Sequence, residues 1–296
     1  MRHENTGGAR ASCAPRFILH LATCATCALL VAASGARGGS GARAESGVVS
    51  GAVSGAVAAR AGIGEGSWSG AAQAVAPQNQ MKASESTEIE ARRAGADFAV
   101  GDFDNPAWRR ARAVRIEHYW SGERAPEGRR AEARLLWTDA ALYVRFVARQ
   151  TEPLIVSDQP RLGEKTLGLW DRDVCELFVA PDAGAPERYF EFEVAPTGEW
   201  LDARIHQLPD KRESDFEYHS GATFAARASG DTITLVMRVP WSALGGAPRA
   251  GARWRANLYR CIGKDPTRGY LAWQPTLTPE PSFHVPAKFG WLRFTN

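Results

Sequence analysis

Residues 188–206 read Arg-Tyr-Phe-Glu-Phe-Glu-Val-Ala-Pro-Thr-Gly-Glu-Trp-Leu-Asp-Ala-Arg-Ile-His. Two strand-like runs, Arg188 to Val194 and Trp200 to His206, flank the turn residues Ala195-Pro196-Thr197-Gly198, which is a hairpin signal. The same texture spreads outward from this stretch. Arg134 to Trp137 and Ala141 to Ala148 flank Thr138-Asp139-Ala140, and Thr223 to Ala228 and Thr232 to Val239 flank Ser229-Gly230-Asp231. Val174 to Ala180, Arg253 to Gly263, Tyr270 to Trp273 and Gly290 to Phe294 complete the set. No long stretch of helical period interrupts them, and Pro240 to Leu244 supplies at most one helical turn. Many short strands at this spacing predict an all-β domain, an antiparallel β-sandwich of jelly-roll type.

Composition divides the 296 residues unevenly. Between residues 34 and 80, 30 of 47 positions are Ala, Gly or Ser, and Ser-Gly-x-Val recurs at residues 46–57. Such small side chains cannot build a packed core, so the segment reads as a tether. Residues 97–296 hold nine of the ten Trp, all six Tyr and eleven of the twelve Phe. The chain therefore divides into an N-terminal segment (1–44), an Ala/Gly/Ser linker (45–95) and one globular domain (96–296).

Residues 1–44 read as an export signal. Arg2, Arg10 and Arg16 precede the apolar run Phe17 to Ala33, and small residues follow it. Export to the periplasm, cell surface or medium is expected, with membrane contact only if this segment stays uncleaved. The segment carries five Arg and one Glu, so its removal takes the formal charge from +3 to −1. That leaves no basic field of the kind nucleic acid attracts. The domain keeps two cysteines, Cys175 and Cys261, which could form one disulfide or stay as buried thiols. Within the domain there is no CxxC and no paired Cys/His spacing, so a structural zinc site is not expected.

The domain has no GxGxxG, P-loop, HExxH or GxSxG. Its four His (His118, His206, His219, His284) show no ligand spacing. What it has is aromatic side chains. Most must be core, with Trp137, Trp241, Trp254 and Trp291 reading as core or hinge residues. Sugar sites use rings too, because the apolar C–H face of a pyranose lies flat on an aromatic face while charged neighbours hold its hydroxyls. Leu169 to Val179 has that arrangement. Cys175, Leu177 and Val179 share one strand face; Val174, Glu176 and Phe178 share the other, behind Trp170 at the strand entrance. A carboxylate in so apolar a strand needs a partner or water, and an ion pair with a neighbouring Arg satisfies it as well as a ligand does.

These pieces, taken in order, resemble the family 9-like carbohydrate-binding modules over residues 97–296. The resemblance rests on Asp102 to Trp108, Leu142 to Phe146, Trp170 to Phe178, Tyr189 to Gly198, Trp254 to Arg260, Ala272 to Thr276 and Ser282 to Gly290. It implies a β-sandwich that holds a sugar between two rings, with a Glu on its hydroxyls. Trp170 matches the first ring, Glu176 the Glu, and Phe283 the second ring, where the better-known modules have Trp. Glu193 falls where those modules carry an Arg that contacts sugar. Outside the resemblance, Arg260, in a strand where it could instead pair with Glu176 or Glu193, and His284, on the loop beside Phe283, complete the expected contact set. The resemblance implies no cofactor. Structural calcium occurs among such sandwiches, with Asp171 and Asp173 the acids nearest the site.

The expected function is a secreted, non-catalytic protein that binds mono-, oligo- or polysaccharide. One alternative is a glycoside hydrolase or an accessory component acting on polysaccharide, which would release reducing sugar. Another is a haem-binding sandwich, which would show a Soret band.

Overall fold

The computed structural model describes residues 87–296. The expected export signal and most of the expected linker lie outside the described residues. The strands, in chain order, are β1 (Glu88–Arg93), β2 (Val114–Ile116), β3 (His118–Tyr119), β4 (Ala131–Trp137), β5 (Ala141–Arg149), β6 (Val174–Ala180), β7 (Arg188–Val194), β8 (Trp200–Gln207), β9 (Arg212–Asp215), β10 (Thr223–Ser229), β11 (Thr232–Pro240), β12 (Arg253–Ile262), β13 (Gly269–Ala272) and β14 (Gly290–Thr295). Helical structure among the described residues is limited to short 3-10 turns. No helix among them is long and apolar enough to cross a membrane.

The expected hairpins β4–β5, β7–β8 and β10–β11 all form. Hydrogen bonding links the strands in the order β10-β11-β5-β4-β1-β14-β12-β6-β7-β8-β9, with β2 beside β4, β13 beside β12 and β3 beside β13. The sheet curls until its halves face each other. Trp200 of β8 stacks on Phe224 of β10, with ring centroids 5.4 Å apart. The interior between the halves is filled by Phe146, Leu177, Phe192, Leu235, Leu258, Trp254 and Phe294, among others. Trp241 and Trp254 meet edge to face there at 5.9 Å, as core tryptophans do.

Sheet residues begin earlier than the boundary at residue 96. β1 lies within the stretch read as linker and pairs in parallel with β14 and β4. Only Ile89 and Ala91 of β1 are buried, while Glu88 and Glu90 reach Arg293 across the ladder. Two apolar side chains in a polar run are a weak strand signal, and pairing on both sides supplies the rest.

β6 shows the alternation expected of it. Cys175, Leu177 and Val179 face the interior, and Val174, Phe178 and Ala180 face outward. The outward face of β6, β7, β8 and β12 is itself covered by loops, which bury a second apolar cluster that includes Tyr189, Leu201, Tyr259, Phe283 and Phe289. Cys175 and Cys261 lie in these two different clusters, on opposite faces of the sheet, as two buried free thiols.

The same parity corrects the expectation for Arg260. Its neighbours Tyr259 and Cys261 face outward, so Arg260 points between the halves with Leu258 and Ile262. There its Nη1 donates to the carbonyls of Arg129 (2.8 Å), Arg130 (3.0 Å) and Arg149 (2.8 Å), and its Nη2 to Gln150 Oε1 (2.7 Å). It is 2% exposed, and its donors are spent on joining the halves. Arg260→Met should orphan these acceptors and lower stability by about 3 kcal/mol, read as a lower urea midpoint at unchanged slope.

Candidate functional site

The outward face of β6 and β7 forms the floor of a cleft of about 210 Å³. Ladder register places Glu176 directly opposite Glu193, and Glu191 lies two residues along β7 on the same face. Each of the three carboxyls offers an oxygen within 4.8 Å of the other two. All three are buried, at 2% (Glu176), 4% (Glu191) and 0% (Glu193) exposure. Glu176 Oε1 receives the Cys261 thiol at 3.4 Å. Neither oxygen of Glu193 has a donor, and the group close enough to share a proton with it is the Glu191 carboxyl.

The walls are aromatic. Trp170 sits on the 3-10 turn Leu169–Asp171 just before β6 and stacks on Phe216 at 6.0 Å. Gly168, at φ 77°, opens that turn in the left-handed region that glycine enters without strain. Arg268 fastens the turn by donating to the carbonyls of Trp170 and Arg172, to Gly263 O and to the Tyr270 hydroxyl. Arg172 adds a second tie, with Nη1 3.1 Å from both oxygens of buried Glu199. Phe283 lies on the loop before the last strand, stacked on Tyr259 at 4.0 Å and edge-on to Tyr270 at 6.0 Å. His284 Nδ1 is 2.7 Å from the Tyr189 hydroxyl. Arg212 and Ser214 of β9 complete the rim.

The structure therefore brings Trp170, Glu176, Phe283 and His284 to one cleft. Glu193 stands against Glu176 in the floor, behind the lining side chains. Arg260 lies on the other face of the sheet. Sequence reasoning passed over Glu191, although it sits two residues from Glu193 in the alternating run and so shares its face. Phe216, Tyr270 and Arg212 carried no local signal, because loops and edge strands bring them in. Asp173 is taken up by the fold: it accepts from Gln150 Nε2, Ile155 N and Gly263 N.

Burial sets the protonation of the floor. It pushes Glu176 up to about 8, helped by the negative charge of Glu191. It pushes Glu191 up to about 7. Glu193 is held well above the usual carboxylate range by burial and by both neighbouring acids. Burial also lowers His284 to about 3, helped by Arg212, so its ring is neutral. The cleft thus offers ring faces, a neutral imidazole and a floor of carboxyl groups.

The chain matches the model of the carbohydrate family 9 binding domain-like family over residues 101–296. It belongs to that family. Its fold is similar to that of a Bacteroides uniformis protein provisionally assigned to carbohydrate binding, at TM-score 0.56 and 18% identity over 70% of this chain and 98% of that one. It is also similar to a family 9 module from Caldicellulosiruptor kristjanssonii. The structure of that module with cellotriose gives TM-score 0.51 and 14% identity over 71% and 94% of the two chains. Its structure with glucose gives 0.52 and 13% over 71% and 96%. No curated protein matches the chain.

The floor makes stability depend on pH. Between the usual carboxylate range and about pH 8, the folded chain holds protons that the unfolded chain has released. Stability falls as pH rises through that window, by about 1.4 kcal/mol per pH unit for each such proton. His284 acts in the opposite sense between about 3 and its ordinary 6.5, where the folded chain lacks a proton that the unfolded chain binds. Above pH 6.5 only the carboxyl contribution of these groups remains. Thermal melts should therefore show Tm falling by several degrees from pH 6.5 to 8.5, and Glu193→Gln should flatten that fall.

Proposed function

We propose that this domain is a non-catalytic carbohydrate-binding module whose ligand occupies the cleft above β6 and β7. The observation that carries the reading is the placement of Trp170. It is the most exposed aromatic ring of the domain, at 38%, and it stands over a floor that contains Glu176. A large ring left open to water beside buried polar groups suits the apolar face of a sugar whose hydroxyls reach inward. Phe283 adds a second ring to the lining, and Glu176 and the His284 imidazole supply hydrogen-bonding edges. Family membership and the glucose and cellotriose held by a similarly folded module support the same ligand class.

Binding takes precedence over hydrolysis in this reading. Glycoside hydrolysis requires carboxyls flanking the scissile bond, and these three rise together from one sheet face. Export through the leader at residues 1–44, with the linker presenting the domain to polymer, completes the proposal.

Isothermal titration of the full-length protein with glucose, cellotriose and other mono- and oligosaccharides tests it. Trp170→Ala should weaken binding at least about ten-fold with little change in Tm, since the ring is partly exposed. Phe283→Ala should weaken binding and also lower Tm, because its ring packs on Tyr259. Unchanged affinity in both variants would reject this site.

A further inference from the structure

The domain buries six acidic side chains, and they fall into two groups. Asp173, Glu199 and Asp202 are each neutralised or saturated by the protein. Asp173 has three N–H donors. Glu199 has Arg172 and the Thr197 hydroxyl. Asp202 has Lys165 Nζ at 2.6 Å and the backbone N–H and hydroxyl of Ser220. Glu176, Glu191 and Glu193 are the other group. None of them is in an ion pair among the described residues. Their one protein donor apart from each other is the weak Cys261 thiol, and both oxygens of Glu193 are without any donor. Among the described residues, the buried acids that have neither a cation nor several N–H donors are the three beneath the cleft.

The nearby cations do not make up the deficit. Arg268 contributes charge from behind the floor, but its N–H groups go to three carbonyls and a tyrosine hydroxyl. Arg212 lies at the exposed rim, where its charge acts on Glu191 from a distance, and it is in no ion pair among the described residues. His284 is neutral and bonded to Tyr189. Asp171, on the Trp170 turn, adds a third acid to the lining, in front of Glu193. The floor carboxyls of the free chain therefore keep their protons for want of an ion-paired cation, and a ligand that displaced one of those protons would need to bring a positive charge in its place. An ammonium group supplies three donors and that charge in one small group. The rings of Trp170, Phe216, Tyr270 and Phe283 around it attract a cation as well as a sugar face.

We propose that the ligand is an amino sugar, a pyranose whose free ammonium group enters the floor toward Glu176, Glu191 and Glu193 while its ring lies against the aromatic wall. The inference rests on the carbohydrate-binding reading above and narrows it to a cationic sugar class.

Titration calorimetry of the full-length protein at pH 6.5 compares glucosamine with glucose and N-acetylglucosamine, and deacetylated chitin oligomers with cello-oligomers. The amino forms should bind at least about ten-fold more tightly than their neutral or acetylated counterparts. Glu191→Gln and Glu193→Gln should each shrink that preference several-fold. Should either variant misfold, the wild-type panel decides alone. Equal or tighter binding of the neutral sugars overturns the inference and leaves carbohydrate binding standing. Neutral-sugar binding that appears only with added calcium and vanishes with chelator also overturns it, since a metal ion would then be meeting the charge demand. No binding of any sugar by the folded protein overturns both.

Discussion

The period of two along β6, β7 and β12 governs this molecule. Each of these strands sends alternate side chains into the interior between the curled halves and the rest onto an outer face that loops cover in turn. One register thus builds the core and the cleft together. A slip of one residue would bury the Glu176 side of β6 between the halves and expose Leu177 and Val179. Arg260 and Cys261 show how sharp the division is. They are adjacent in β12, yet one ties the two halves together through four hydrogen bonds and the other meets the floor of the cleft.

The outer face also carries an electrostatic cost that the rest of the domain avoids. Burying a carboxyl without a donor is unfavourable, and the chain answers by holding protons on the floor well above the usual carboxylate range. The packing that surrounds the floor is otherwise thorough. The Trp170 turn is fixed by Arg268 and Arg172, and the Phe283 loop by stacking on Tyr259. Rigid walls around an unsatisfied floor are what a preorganised ligand site requires, because the ligand then has no ordering of side chains to offset. Stability is given up at these three residues, where the proposed ligand would sit.

Legibility in the sequence followed the range of the forces involved. Hairpins with clear turns, such as β7–β8, are written in a dozen consecutive residues, because turn geometry and alternation are local. β1 falls within the expected linker because its order comes from parallel partners distant in the chain. Trp170 and Glu176 were visible together, being on one short segment. Phe216 and Tyr270 were not, because their strands and loops meet Trp170 and Phe283 only after the sheet curls. Arg260 is expected among the sugar contacts, and the alternation that sends it to the face opposite Glu176 rules that placement out.

By itself, then, the sequence determined an all-β sandwich, the two faces of β6 and the family to which the motifs belong, since periodicity, turn chemistry and motif order are properties of neighbouring residues. Tertiary structure decided which side chains share the cleft, that the two thiols lie on opposite sides of the sheet, and that three glutamates from two strands meet without an ion-paired partner among the described residues. Those outcomes depend on ladder register and on the loops that cover the sheet, and both are set by contacts between residues far apart in the chain.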